Sequence, residues 1–308
     1  MSFTRIGMIG LSEGNGHPFS FSAIINGYSD PDLAASGWEV IYDYVRRRDP
    51  SEIGINGLQV THAWTQDEET TRKLCRACLI PHAVSDPSEM IGRVDAVIIA
   101  RDDYETHHAL AMPFLEAGLS VFVDKPLGLD TAELREYLPY LASGRLMSCS
   151  AMRYARELDE VKANLHAYGD MILVRGAILN SWEKYGVHLL DAVVGILKTP
   201  PQWVLALDAS HMSVVIGMQG GPLIQIDALG ECARTFRLDF YGTRQNSSHD
   251  ITDNFSMFRR MLWHFHRAVL TGKPAIDPRE TLGIMRMLMA GRISRQENRR
   301  VFLDEIRV

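Results

Sequence analysis

Val94-Asp95-Ala96-Val97-Ile98-Ile99-Ala100 is an apolar run broken by a single charge near its start. It is short for a helix and lacks polar alternation, so it reads as a strand buried on both faces, the kind found in parallel sheets. After it, Tyr104 to Ala117 has the length of a helix, Gly118 closes it, and Ser120-Val121-Phe122-Val123 forms the next buried strand. Before it, Leu58 to Trp64 reads as a strand and Asp67 to Leu79 as a helix. Thr4 to Gly10 is a further apolar strand, and Pro18 is placed to open a helix running through Ala23-Ile24-Ile25. Strand and helix alternating at this spacing predict a parallel sheet with helices on both sides and a ligand at the edge where the strands end.

The pattern changes after Pro126. Helices are predicted over Ala132 to Leu141, Tyr154 to Tyr168 and Val187 to Leu197, and strands over Met171 to Leu179 and near Val204 to Leu207. Further strands follow at Met212 to Met218, Pro222 to Leu229 and Thr235 to Tyr241, with little helix between them. Two helices, Asn254 to Leu270 and Pro278 to Arg295, precede a small strand at Val301-Phe302-Leu303. The expected fold is α/β, with a boundary near Pro126: a parallel-sheet domain, then an α+β domain on an antiparallel sheet with one face covered by helices.

A formal charge of −6 provides no concentrated basic field for nucleic acid or an anionic membrane, and Arg46-Arg47-Arg48 is interrupted at once by Asp49. Four cysteines in 308 residues do not make a disulfide scaffold, and Cys75 and Cys78 without a second ligand pair do not make a zinc site. No metal is expected. With neither a leader pattern nor an apolar run of membrane-spanning length, the expected location is cytoplasmic.

Gly10, Gly14 and Gly16, with Ser12 and Asn15 between them, form a turn from the first strand into the first helix. Such a turn either holds a pyrophosphate on backbone N–H groups or is a plain glycine-rich surface turn. Val121-Phe122-Val123-Asp124-Lys125-Pro126 places an acid and a lysine at the end of a buried strand, where core packing has no use for charge. Lys125 is suited to polarising a substrate oxygen, and Asp124 to orienting it. If the later helix starts early, Lys184, His188 and Asp191 line one face, and His188 suits acid–base work. Arg153, Trp182 and Tyr185 flank that region as candidates for binding hydroxyls or a carboxylate. Arg101 and Asp102 follow the central strand, and His107 sits in the next helix.

These ordered motifs resemble the glucose-fructose oxidoreductase, inositol dehydrogenase and rhizopine-catabolism (Gfo/Idh/MocA) family. The resemblance rests on the opening glycine loop, the Val94 to Ala100 strand, Leu115-Glu116-Ala117-Gly118 followed by Val121 to Pro126, and Gly186-Val187-His188 with Asp191. Phe265-His266-Arg267-Ala268-Val269 with Thr271-Gly272-Lys273-Pro274 extends it. The resemblance implies a Rossmann dinucleotide-binding domain over 1–126 with an insertion near 29–56, and an α+β domain over 127–308 on a large, mostly antiparallel open sheet. It also implies NAD or NADP as cofactor, a sugar, cyclitol or related polyol as substrate, and a homodimer or homotetramer. It implies that Lys125, His188 and Lys184 stand at the catalytic positions. The cofactor would be met by Gly10, Ser12, Gly14, Asn15, Gly16, Trp64, Arg101, Asp102, His107 and Asp124, and the substrate by Arg153, Trp182 and Tyr185. Two departures stand out: Asp124 replaces the usual glutamate before the lysine, and Lys184 replaces the aspartate four residues before the histidine. Trp64-Thr65-Gln66 also lacks the ribose-binding acid usual after the second strand. The two rival readings are a non-catalytic sugar sensor or scaffold and a redox-neutral lyase or hydrolase with tightly bound NAD.

Overall fold

The computed structural model describes residues 3–308. Two compact units emerge from it. The first takes in the chain through Leu127 and then regains Tyr137–Ser148 and Asn254–Ala275; the second comprises Gly128–Glu136, Cys149–Asp253 and Ile276–Val308. A single boundary near Pro126 therefore describes only the first crossing between them.

The first unit is built on six strands: β1 (Thr4–Ile9), β2 (Leu58–Trp64), β3 (His82–Ala83), β4 (Ala96–Ile99), β5 (Ser120–Val123) and β6 (Leu146–Ser148). Their order is β3-β2-β1-β4-β5-β6, and every pairing is parallel. The strand order reverses between β1 and β4, the topological switch point beside which sheets of this kind bind ligands. Ala96 to Ile99 are fully buried, as expected for a central parallel strand. Helices α1 (His17–Asn26), α2 (Asp30–Ala34), α3 (Glu39–Arg46), α4 (Glu68–Ala77) and α5 (His107–Glu116) follow in chain order. The expected insertion is made of α2, α3 and the short turn Pro50–Glu52. It is tied into the unit because the Trp38 and Ile41 side chains fill the space where a Cβ on Gly16 would lie.

Helix α6 (Thr131–Ala142) leads into β6, and the later part of the chain adds α7 (Asp159–Ala163) and α8 (Val187–Leu197). The second sheet contains β7 (Met171–Ile178), β8 (Pro201–Leu207), β9 (Met212–Met218), β10 (Leu223–Ala228), β11 (Phe236–Gly242), β12 (Asn246–Asp250) and β13 (Val301–Phe302). Its order is β12-β11-β7-β10-β9-β8-β13, and β7 with β10 is the parallel pair in an otherwise antiparallel sheet. Helix α9 (Asn254–Thr271) returns to the first unit, and α10 (Pro278–Glu297) belongs to the second. Among the described residues, no helix is long and apolar enough to cross a membrane.

The predicted helix over Tyr154 to Tyr168 is instead a 3-10 turn, the five-residue α7 and another 3-10 turn. Asn164, at φ −121°, ends α7, consistent with a side chain type that favours helix ends over interiors. The turn ahead of α8 also differs. Trp182–Gly186 is a π-helical turn, so α-helical spacing does not carry Lys184 onto the His188 face.

Candidate active site

The glycine loop at the end of β1 is held by side chains from three other strand ends. Gln66, just after β2, grips Leu11 at both ends: its Oε1 accepts the Leu11 N–H at 2.8 Å and its Nε2 donates to the Leu11 carbonyl at 2.6 Å. Asp102, just after β4, exchanges two bonds with Ser12. The Ser12 hydroxyl donates to Asp102 Oδ1 at 2.7 Å, and the Asp102 N–H donates to Ser12 Oγ at 3.1 Å. Asp124, just after β5, accepts from Asn15 Nδ2 at 3.2 Å. Within the loop, the Asn15 N–H donates to the Ser12 carbonyl at 3.1 Å, closing the turn, and Asn15 Oδ1 accepts the His17 N–H at 2.9 Å.

The glycines divide their work. Gly14 has φ +73° and no atom within 4 Å of where its Cβ would lie, leaving the tip of the turn bare. Gly10 and Gly16 instead allow close packing against Pro18 and Trp38. A bare backbone tip ahead of α1, whose N-cap Gly16 supplies no side-chain bond, fits the pyrophosphate of a dinucleotide. The residues present therefore fit such a cofactor, although Gln66 is committed to the loop and Asp67 caps α4 by accepting the Thr70 N–H at 2.7 Å.

Lys125 follows β5 with only 4% of its surface exposed, and its Nζ lies 3.6 Å from Asp102 Oδ2. Burying an ammonium is costly unless a carboxylate and hydrogen bonds compensate, so this position is maintained against solvation. Asp124 Oδ1 accepts the Lys125 N–H at 2.8 Å. The other Asp124 oxygen meets His17 Nδ1 at 2.5 Å, and the His17 ring stacks on Phe21 and meets Phe258 edge-on. Burial pushes the Asp124 carboxyl upward, but the His17 charge and hydrogen bond, followed by Lys125, outweigh it. The carboxyl is held well below the usual carboxylate range.

His17 was not among the sequence candidates. A histidine opening the helix directly behind the glycine loop is the signal that would have found it. Of the expected cofactor set, Ser12, Asn15, Asp102 and Asp124 are joined in this network, and Gly10, Gly14 and Gly16 shape the loop. The Trp64 carbonyl accepts the Gly10 N–H at 3.1 Å, while its indole N–H turns to the Ser85 carbonyl at 3.2 Å. Arg101 is spent on Asp103: burial pushes that carboxyl up, and the Arg101 hydrogen bonds and charge bring it below its ordinary value. His107 is fully buried with ring nitrogens 3.0 Å from the Arg101 carbonyl and 3.3 Å from the Leu127 carbonyl. It ties together the loops after β4 and β5.

The second unit carries the other candidates. His188 lies in the first turn of α8, with Nδ1 2.7 Å from Ser150 Oγ and its ring edge-on to Tyr185, 5.2 Å between centroids. Tyr185 in turn stacks with Phe236. Asp191 accepts the Ser150 N–H on Oδ2 and Arg153 Nε on Oδ1, both at 2.5 Å. Arg153 also donates through Nη1 to Glu280 at 2.6 Å and is 6% exposed. It is thus a strut joining α8 to the start of α10. Burial works against the Arg153 charge, but Asp191 and Glu280 overcome it and push its pKa up.

Lys184 is exposed, and its N–H reaches Ser181 Oγ at 3.4 Å. Trp182 is buried, donates to the Leu288 carbonyl at 3.0 Å, and occupies the space where Cβ atoms on Gly186 and Gly291 would lie. Its position serves the core, which leaves Tyr185 and Phe236 as the aromatics against the His188 ring. Burial pushes the Cys75 thiol up to about 11 and the Cys78 thiol further, so neither is a ready thiolate.

A model of the oxidoreductase family with an NAD-binding Rossmann fold matches residues 41–148, a segment that begins after the glycine loop. Inositol 2-dehydrogenase 1 of Saccharopolyspora erythraea is 34% identical over 133 residues, which is 39% of this chain and 38% of that relative. Inositol 2-dehydrogenase 4 of the same organism is 28% identical over 227 residues, covering 68% of this chain and 56% of the relative. The matched segments thus span between about a third and somewhat more than half of these curated relatives. In fold, the chain is similar to scyllo-inositol dehydrogenase from Lactobacillus casei with bound NAD(H) and scyllo-inositol. That likeness has a TM-score of 0.77 at 13% identity and covers 98% of this chain and 100% of that one. The segment 41–148, which carries β2 to β6 of the parallel sheet, is thus similar to the oxidoreductase family with an NAD-binding Rossmann fold.

Proposed function

We propose that this chain is a nicotinamide-dependent oxidoreductase acting on a hydroxyl or keto carbon of a cyclitol, sugar or related polyol. The observation that carries the reading is Lys125, a buried ammonium held beside Asp102 at the strand ends that shape the glycine loop. NAD or NADP, when bound, supplies or accepts the hydride at nicotinamide C4. The bare tip at Gly14 and the start of α1 hold its pyrophosphate. Asp124 and His17 brace the backbone from which Lys125 projects. Lys125 steadies the oxygen on the reacting carbon; in the second unit, His188 is the group suited to exchanging a proton. Tyr185 gives the substrate an aromatic wall beside His188.

The inositol dehydrogenase relatives, and the scyllo-inositol bound in the Lactobacillus casei structure, support a cyclitol as the first substrate to try. A homo-oligomer is supported by the outward face of the second sheet, where Leu173, Leu223 and Tyr241 neighbour one another in register.

The test has two stages. Freshly purified protein, first checked by absorbance and mass for retained dinucleotide, is titrated calorimetrically with NAD, NADH, NADP and NADPH, and then assayed with myo-inositol, scyllo-inositol and their ketones. Saturable binding and turnover are expected, with Lys125→Met lowering kcat/KM by about 100- to 10,000-fold while dinucleotide still binds. Neither retained nor titratable dinucleotide would end this reading.

A further inference from the structure

Resting on the reading of His188 as the proton-handling group, a second question is what fixes the proton on its ring. Ser150 is fully buried, at the head of the 3-10 turn Ala151–Tyr154. Its N–H donates to Asp191 Oδ2 at 2.5 Å, its Oγ accepts the Met152 N–H at 3.1 Å, and that same Oγ lies 2.7 Å from His188 Nδ1. Asp191 stands one turn after His188 on α8, so a single helix grips Ser150 twice, once by its main chain and once by its hydroxyl.

A serine hydroxyl has one proton to give and two lone pairs to offer. The Met152 N–H already points at the oxygen. Were Nδ1 protonated, the oxygen would face two donors, and its own proton would need an acceptor that its hydrogen bonds do not include. With Nδ1 unprotonated, both groups are satisfied. The partner of one imidazole nitrogen determines which nitrogen carries the proton.

We infer that Ser150 is the positioning residue that sets the tautomer of His188: its hydroxyl donates to Nδ1, and the neutral ring carries its proton on Nε2. A carboxylate in this place would only accept, holding the proton on Nδ1 and leaving Nε2 as a base. The hydroxyl reverses that arrangement. Neutral His188 then meets a substrate oxygen as a hydrogen-bond donor, which suits polarising a carbonyl for hydride addition.

The full chain with ¹⁵N-labelled histidine, without added cofactor, is examined by nitrogen-detected NMR at a pH where His188 is neutral, with His188→Gln used for assignment. The wild type is expected to show an unprotonated Nδ1 and a protonated Nε2. Ser150→Ala should mix or reverse the two, and Ser150→Thr should restore the wild-type pattern. In turnover, Ser150→Ala should lower kcat about tenfold and displace the pH profile, with KM little changed. If the alanine variant does not fold, Ser150→Cys, a weaker donor, should give an intermediate mixture. A protonated Nδ1 in the wild type, or an unchanged tautomer in Ser150→Ala (in Ser150→Cys, if the alanine variant does not fold), would overturn the inference. The nitrogen signals require no turnover, so a chain without dehydrogenase activity would defeat the proposed function and leave this result to be judged by itself.

Discussion

Asp124 and Asp191 are both carboxylates with 2% of their surface exposed, yet they are neutralised in different ways. Asp124, in the first unit, is met by the His17 ring and the Lys125 N–H, and its pKa is driven down against the effect of burial, first by His17 and then by the Lys125 charge. Asp191, in the second, is met by the permanently charged Arg153 and the Ser150 main chain, and burial still prevails, pushing its pKa up. The difference separates two uses of buried charge. Around Asp124 the charge is balanced by an imidazole and an ammonium beside the loop proposed to hold the cofactor. Around Asp191 it is a fixed brace that holds Ser150 and Arg153 against α8.

The contrast breaks most visibly at Arg153. Arg153→Met leaves Asp191 and Glu280 without their guanidinium, and chemical denaturation is expected to show a loss of about 3–5 kcal/mol. A loss no larger than that of a surface substitution would mean that Asp191 is held neutral and braces nothing by charge.

Asp124→Asn comes next, with an expected loss of about 2 kcal/mol at neutral pH from a buried, charge-assisted network. The sign follows from the lowered pKa: the stabilisation is present above the unfolded carboxylate value of about 4 and is lost as pH falls through the folded value. The stability gap between wild type and Asp124→Asn should therefore close as the solution is acidified below about pH 4. A gap independent of pH would reduce Asp124 to packing.

Gly14→Ala should have the smallest effect on stability, about 1–2 kcal/mol from a side chain at positive φ with open space around it. Dinucleotide affinity should fall further than the melting temperature suggests. Intact affinity would remove the loop tip from the proposed cofactor site and leave the charge held at Asp124 with nothing to serve.

The first of these two regions was largely legible in the sequence. Lys125 and Asp124 announce themselves because charges at the end of Val121-Phe122-Val123 have no place in a core, and the strand over Ser120 to Val123 falls where periodicity puts it. The second region was legible in part: His188, Asp191 and Arg153 were candidates, but the Ser150 that meets two of them was not. Ser150 and His188 are separated by 38 positions, and a serine after a short strand carries no local sign of its partner. Lys184 misled for a geometric reason: spacing by four assumes an α-helix, and the chain takes a π-helical turn there. Strand β12 escaped because Asn246 to Asp250 is polar throughout, which an edge strand with one neighbour permits.

The return of α9 also has a consequence for the order in which the protein takes shape on the ribosome. Phe258 closes over His17 and Phe21, Phe265 packs on Phe122, and His266 reaches back to Thr4 at 3.1 Å. Arg259 donates to the carbonyls of Glu52 and Gly54, fastening the inserted segment. A nascent chain that has emerged only as far as Pro126 thus presents an unfinished aromatic face, which must wait through the synthesis of nearly the whole second unit for its lid. Such a face invites aggregation or chaperone capture while it waits. The glycine loop and its helix, among the first parts to emerge, are among the last to be sealed.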